Sequence, residues 1–270
     1  MRKELPVFII NLKKDKEKRQ YMEALCQNYF KKYQFVEGVY GKELSREEVS
    51  AVYSHDKSVK QLGRELSLAE LGCALSHKKI YEFMVKSNIS EVLILEDDID
   101  FDKELLAVLE NRSLFPIDWE LVLLGHHTGG SRDGETKSSV WWKQRLIKQF
   151  SLKRPSEVGR GTYGYLLRLS GAKKLLRELN SISKPIDHYT GSDTYINLYI
   201  LSPVVIKIHQ YMSDELSSMQ ERFQLLSQKA NKNFFIKQLL KKIGLFHLIL
   251  FIRDQIKRFM PLKKYDIVKK

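Results

Sequence analysis

Residues 92–100 read Val-Leu-Ile-Leu-Glu-Asp-Asp-Ile-Asp, an apolar run that ends in four carboxylates within five positions. Glu96, Asp97, Asp98 and Asp100 repel one another at this spacing, and a hard divalent cation carrying a phosphorylated ligand would relieve that repulsion. The plainer alternative is a solvated acidic turn. What precedes the acids favours the cation, because Val92, Leu93, Ile94 and Leu95 form the unbroken apolar run of a parallel strand buried on both faces. Open α/β sheets hold their ligands at the carboxyl ends of such strands.

Other segments supply the elements that must position these acids. Residues 6–12 form a second buried strand that ends in polar Asn11, and a charged helix follows over residues 16–31, with Tyr21, Leu25 and Tyr29 on one face. Residues 35–39 are a weaker strand. Ser67 and Glu70 make a capping box that opens a helix reaching residue 86. Further on lie a helix near residues 103–110, buried strands at 120–125 and 163–169, a helix capped by Ser170, and a last strand at 204–209. The glycine-bearing stretch 126–162 reads as loop, suited to a mobile segment over a site, and His126 and His127 fall within it. Strands alternating with helices predict an α/β fold, a mostly parallel twisted sheet with helices on both faces.

The chain has 270 residues, 43% of them apolar and 29% charged, which excludes disordered, collagenous and polytopic membrane classes. The net charge of +13 is uneven: from Lys229 onward there are 12 Lys/Arg and two acids, whereas the 228 preceding residues carry 34 and 31. A nucleic-acid enzyme would carry its basicity around the cleft, so no nucleic-acid partner is expected. The expected organisation is a catalytic domain over 1–228 and a basic amphipathic helical tail over 229–270. The tail's apolar run is shorter than the about 20 residues that span a bilayer. A helix lying in the headgroups of an anionic membrane explains both its bases and its aromatics. The alternative is a helix packed on the domain or on a twin subunit, giving a homodimer. Cys26 and Cys73, the only cysteines, lack metal-type spacing and read as reduced and structural. The first residues carry no signal-peptide run, so a cytoplasmic protein, peripheral on the inner membrane, is expected.

Several enzyme classes are absent. There is no phosphate loop ending in Gly-Lys-Ser/Thr, no Gly-x-Gly-x-x-Gly after the first strand, no Gly-x-Ser-x-Gly and no His-Glu-x-x-His. Four segments, in order, carry a resemblance instead: Phe8 to Leu12 with Asp15 and Arg19; Leu68-Ala-Glu-Leu-Gly-Cys-Ala-Leu-Ser-His77; Leu93 to Asp100; and Gly164-Tyr165 through Ser170-Gly-Ala172 to Pro185-Ile-Asp187. Together they resemble glycosyltransferase family 25, the lipopolysaccharide and lipooligosaccharide sugar transferases of bacteria, related to collagen galactosyltransferases.

That resemblance implies a single-domain GT-A fold, a UDP-sugar donor, Mn²⁺ or another divalent cation, and inversion at the anomeric carbon. It implies transfer of a hexose, galactose first, to a lipid-linked or glycolipid saccharide acceptor. Asp98 and Asp100 would hold metal and diphosphate, with His209 as a further ligand or a plain surface histidine. Asp97 would reach the ribose or donor sugar. Asn11, Leu12 and Arg19 would line the uridine pocket, although Arg19 also suits a solvated helix face. Glu70 and His77 would face the nucleotide, unless Glu70 is only the capping acid and His77 only structural. Asp187 is the first choice of general base and Asp193 the second, and Tyr163 and Tyr165 would stack on the acceptor or fill the core. The rival readings are a nucleotidyltransferase and a non-catalytic nucleic-acid-binding protein that uses the tail.

Overall fold

The computed structural model describes residues 5–128 and 134–209, together with Ile252. Apart from Ile252, the tail expected at 229–270 therefore lies outside the described residues, and so do its membrane and dimer roles. Among the described residues no helix is long and apolar enough to cross a membrane.

The elements run β1 (Val7–Asn11), α1 (Lys16–Gln27), β2 (Gln34–Glu37), α2 (Arg46–Val52), α3 (His55–Leu62), α4 (Leu68–Lys86), β3 (Glu91–Leu95), β4 (Ile99–Phe101), α5 (Lys103–Glu110), β5 (Leu121–His127), β6 (Ser138–Arg145), β7 (Ser151–Pro155), β8 (Arg160–Arg168), α6 (Leu169–Glu178), α7 (Asp187–Thr190), β9 (Leu198–Ser202) and β10 (Ile206–Ile208). Eight strands form one sheet in the order β2-β1-β3-β8-β5-β9-β7-β6. Six of them run one way, so the sheet is mainly parallel by direction. β8 and β7 run against the rest, which makes four of the seven neighbouring pairs antiparallel. Apolar runs reveal burial on both faces but carry no direction, so the sequence pattern could not show this.

Side chains alternate across the strands and build two cores. Val7, Ile9, Leu93, Leu95, Val122 and Leu124 meet Met22 and Cys26 of α1 and Leu105 and Val108 of α5. Phe8, Val92, Ile94, Leu121, Leu123 and Tyr165 meet Leu71, Ala74 and Tyr81 of α4 and Ala172 and Leu175 of α6. All four apolar residues of the β3 run are fully buried. Each contributes about 2 kcal/mol by leaving water, so β3 is a firm mount for the acids that follow it.

Two expectations about the elements are corrected. Residues 126–162 are not loop: β5 runs on through His127, β6 and β7 form a hairpin, and β8 begins at Arg160. The hairpin lies at the sheet's end, where Val140 and Trp141 stay exposed and polar residues are tolerated, so no buried apolar run marks it. Ser170 is not a cap; it lies inside the first turn of α6, whose N-cap is Arg168. Helices α2 and α3 were not foreseen, although Ser45 and Glu48 form a capping box visible in the sequence. The Ser67–Glu70 capping box is present as expected.

β4 and β10 form a separate antiparallel ribbon that pairs Asp100 with Lys207. It lies across β5 and β8 where Gly125 and Gly164 stand opposite each other. A Cβ on Gly125 would come 2.6 Å from the Ile206 carbonyl oxygen, and one on Gly164 would strike the Ile206 side chain. The two glycines let the ribbon rest directly on the sheet.

Candidate functional site

Because Ile9 stands beside Leu95, the ends of β1 and β3 bring Asn11 to Asp97. Asn11 Nδ2 donates to Asp97 Oδ2 at 2.7 Å and to the Asp15 carbonyl at 3.1 Å. Lys18, in the first turn of α1, places Nζ 3.8 Å from Asp97 Oδ1 and 4.0 Å from Asp98 Oδ2. Asp15 and Lys18 border a cavity of about 430 Å³, whose lining also includes Leu12, Tyr40, Cys73, His77, Glu96, Asp97 and Asp98. Burial raises the Asp97 carboxyl above its usual range, opposed by Asn11 and Lys18. Burial first, then the Glu96 charge, push Asp98 up to about 7, and its Oδ1 is buried without a hydrogen-bond partner.

The ribbon brings in the next group. Asp100 accepts a hydrogen bond from Tyr21, whose phenol is pushed up to about 12 by burial and then by the Asp100 charge. The His209 ring packs on Tyr21 at 4.5 Å, its backbone N–H donates to the Asp98 carbonyl at 2.8 Å, and its Nδ1 is buried without a partner. Asp100 lines a second cavity, of about 660 Å³, with Tyr163, His126, Glu135 and Lys207. The donor types of Asp98, Asp100 and His209 suit a hard divalent cation, and two of the three carry an unpartnered buried atom. Among the described residues, however, the trio does not converge within mutual ligand reach, whereas Cys73, His77 and Glu96 do.

Around α4 the picture is mixed. His77 is fully buried, with Nδ1 2.7 Å from the Tyr165 hydroxyl and Nε2 3.5 Å from Glu96 Oε1. Tyr165 is itself core, 2.6 Å from the Tyr81 hydroxyl. Glu70 is taken up locally: it receives Arg64 Nη1 at 2.9 Å and Nη2 at 2.6 Å and closes the capping box on Ser67. Burial pushes its carboxyl up, but these hydrogen bonds outweigh burial and hold it below the usual range. Glu70 is absent from the lining of both cavities. So is Arg19, whose guanidinium lies 4.2 Å over the Phe35 ring and binds Glu23 at 3.0 Å.

Asp187 opens α7 beside β8, with Arg160 Nη1 3.7 Å from its Oδ2 and its Oδ1 buried without a partner. Burial raises its pKa and Arg160 opposes. Arg160 also meets His188, which burial and that charge press down to about 3, so the imidazole is neutral. Asp193 lies in the turn after α7, partly buried, rather than at a helix start. His126 is structural: Nε2–H donates to the Leu201 carbonyl at 2.9 Å and Nδ1 accepts from the Thr136 N–H at 3.2 Å. His127 stacks on Tyr163 at 5.7 Å.

This arrangement, acids at the end of a buried strand facing a nucleotide-sized cavity, can be compared with known proteins. The family described as Glycosyltransferase family 25 (LPS biosynthesis protein) matches residues 4–190. The chain belongs to glycosyltransferase family 25. Similar proteins include procollagen galactosyltransferase 1-A of Xenopus laevis, 30% identical over 68% of this chain and 30% of that protein. Procollagen galactosyltransferase 2 of Homo sapiens is 26% identical over 68% of this chain and 29% of its own length. A glycosyltransferase 25 family member of Drosophila melanogaster is 29% identical over 71% and 30%. The family 25 chain thus spans about a third of the length of these relatives.

Lys18, Cys73 and Arg160 were not foreseen at the site. Lys18 neighbours the expected Arg19 but points about 100° away on the helix, a phase visible in the Tyr21–Leu25–Tyr29 stripe. Arg160 lies in the misread stretch. Cys73 falls four residues before His77, on the same helix face.

Proposed function

We propose that this chain is an inverting, metal-dependent hexosyltransferase with a GT-A-like fold that takes a hexose, galactose first, from a UDP-sugar. What carries the reading is the buried Asp98 carboxylate, whose Oδ1 has no hydrogen-bond partner, beside Glu96 and Asp97 at the rim of a 430 Å³ cavity. The relatives named galactosyltransferases support the hexose. The family description supports a lipopolysaccharide or lipooligosaccharide acceptor.

Asp98 and Asp100, with His209 alongside, would hold Mn²⁺ or a similar cation, which supplies Lewis acidity to the leaving diphosphate. Asn11 fixes the Asp97 carboxylate by its 2.7 Å bond, presenting the free lone pairs of Asp97 to donor hydroxyls. Lys18 adds a positive charge at the same rim. Leu12 and Tyr40 give the cavity apolar surface for the base. Asp187, raised by burial yet faced by Arg160, takes the proton from the acceptor hydroxyl. The tail, with its 12 Lys/Arg and two acids, docks the enzyme on the cytoplasmic face of an anionic membrane where a lipid-linked acceptor lies.

The experiment is a UDP-release assay of the full chain over a panel of UDP-sugars, with Mn²⁺ and with chelator. UDP-galactose turnover that chelation abolishes is the expected result. Calorimetry that registers neither UDP nor Mn²⁺ binding overturns the reading.

A further inference from the structure

A second group of ligands sits in the wall of the same cavity, and of its members the transfer just described draws only on the charge of Glu96 beside Asp98. Cys73 and His77 are four residues apart on α4, and Glu96 follows β3. Their Sγ, ring nitrogen and carboxylate oxygen all lie within 4.8 Å of one another. His77 is fully buried, and its Nε2 is aimed at this group with no hydrogen-bond partner. We propose that Cys73, His77 and Glu96 form a site for a thiophilic divalent cation of the Zn²⁺ type, distinct from the all-oxygen pair Asp98 and Asp100.

The ligand chemistry separates the two. Thiolate and imidazole select Zn²⁺ and its congeners, whereas carboxylate oxygens suit Mn²⁺ and Mg²⁺. Three protein ligands, with a fourth position open to the 430 Å³ cavity, match an accessible zinc site rather than a closed structural one. Ligand atoms on one tetrahedral Zn²⁺ stand about 3.3–3.8 Å apart, so closure requires inward movement of about 1 Å, within the reach of Cys and Glu rotamers. The outer shell is in place as well. With Nδ1–H donating to the Tyr165 hydroxyl, 2.7 Å away, the Nε2 lone pair is the free one, and ligating histidines use their other nitrogen in this way. The Thr162 hydroxyl donates to Glu96 and steadies that carboxylate.

The local field points the same way. Burial, followed by the charges of Glu96, Asp187, Asp98 and Glu70, holds the Cys73 thiol well above its usual range. A thiol among four carboxylates keeps its proton until a cation arrives. On binding, that proton leaves to solvent, and the dication is balanced by one thiolate and one carboxylate.

The test uses the full-length protein stripped of metal and titrated with Co²⁺, a spectroscopic substitute for Zn²⁺. One equivalent should give a thiolate-to-cobalt charge-transfer band and tetrahedral d–d absorption, both displaced by Zn²⁺. Cys73→Ser should remove the charge-transfer band, and Glu96→Gln should weaken Zn²⁺ by more than about ten-fold. Zn²⁺ should raise the Tm of the wild type and not of Cys73→Ser. Asp98→Asn should leave the band in place. Absence of the band in folded wild type, or its persistence in Cys73→Ser, overturns the proposal. An octahedral spectrum lost in Asp98→Asn overturns it equally, because it assigns the cation to the other acids. Transfer activity enters none of these readouts, so the site and the proposed reaction can fail separately.

Discussion

Two carboxylates are buried within electrostatic reach of the same thiol, Cys73, and keep opposite company. Asp98 has Glu96 and Asp97 for neighbours, and its nearest cation, Lys18, stands 4.0 Å away and is shared with Asp97. Asp187 has Arg160 at 3.7 Å and a neutral His188 at its side. The first surroundings are short of positive charge and call for a cation from outside. The second contain their own, so the carboxylate can ionise and still exchange a proton. Burial raises both pKa values, but only the sign of the neighbours tells a ligand from a base.

The strongest way to break this contrast is Asp98→Asn. Transfer should fall about 10³-fold, measured as UDP release with Mn²⁺ saturating, and wild-type activity would remove the metal assignment. The folded protein without a bound cation binds the Asp98 proton more tightly than the unfolded chain does. Its stability should therefore decline as pH rises from about 4 towards the folded value near 7, and the Asn variant should lose that slope in thermal melts.

Asp187→Asn comes next, with kcat lower by about 10²-fold or more, against a minor effect of Asp193→Asn; the reverse order would transfer the base role to Asp193. Because burial raises Asp187, the acid limb of the wild-type kcat profile should lie above the ordinary aspartate value of about 4. Arg160→Gln removes the opposing charge, so that limb should move to higher pH; an unmoved limb separates Arg160 from the base. Lys18→Met should raise the donor KM by no more than about five-fold, since the pair is partly exposed. Arg19→Ala should change stability by less than about 0.5 kcal/mol and leave donor KM unchanged. A large KM effect there would restore Arg19 to the uridine pocket.

Much of the fold was legible where one signal dominated. The apolar runs of β1 and β3 and the Ser67–Glu70 cap announce their elements without help from the rest of the molecule. The hairpin of β6 and β7 was not legible, since an edge strand such as 138–145 needs few apolar residues and its glycine-rich surroundings suggest loop. At the site, Asn11, Leu12, Asp97 and Asp98 converge because strand ends in a sheet must be neighbours, and His77 reaches the same cavity from α4. Glu70 and Arg19 do not join them, because Arg64 and Phe35 offered partners that spacing does not reveal and Glu23 stood four residues on along the same helix. The pairing of Asp187 with Arg160 depends on how β8 meets α7, a tertiary event.

Two hydrogen atoms set the elevation of the acidic ribbon. Ile206 is seated on Gly125 and Gly164, and anything larger than hydrogen there would act as a shim under β10. Since β10 carries β4 through the Lys207–Asp100 pair, and His209 grips the main chain of Asp98, such a shim would lift both aspartates together. A methyl group set beneath the ribbon, touching no carboxylate, would thus put the site out of focus.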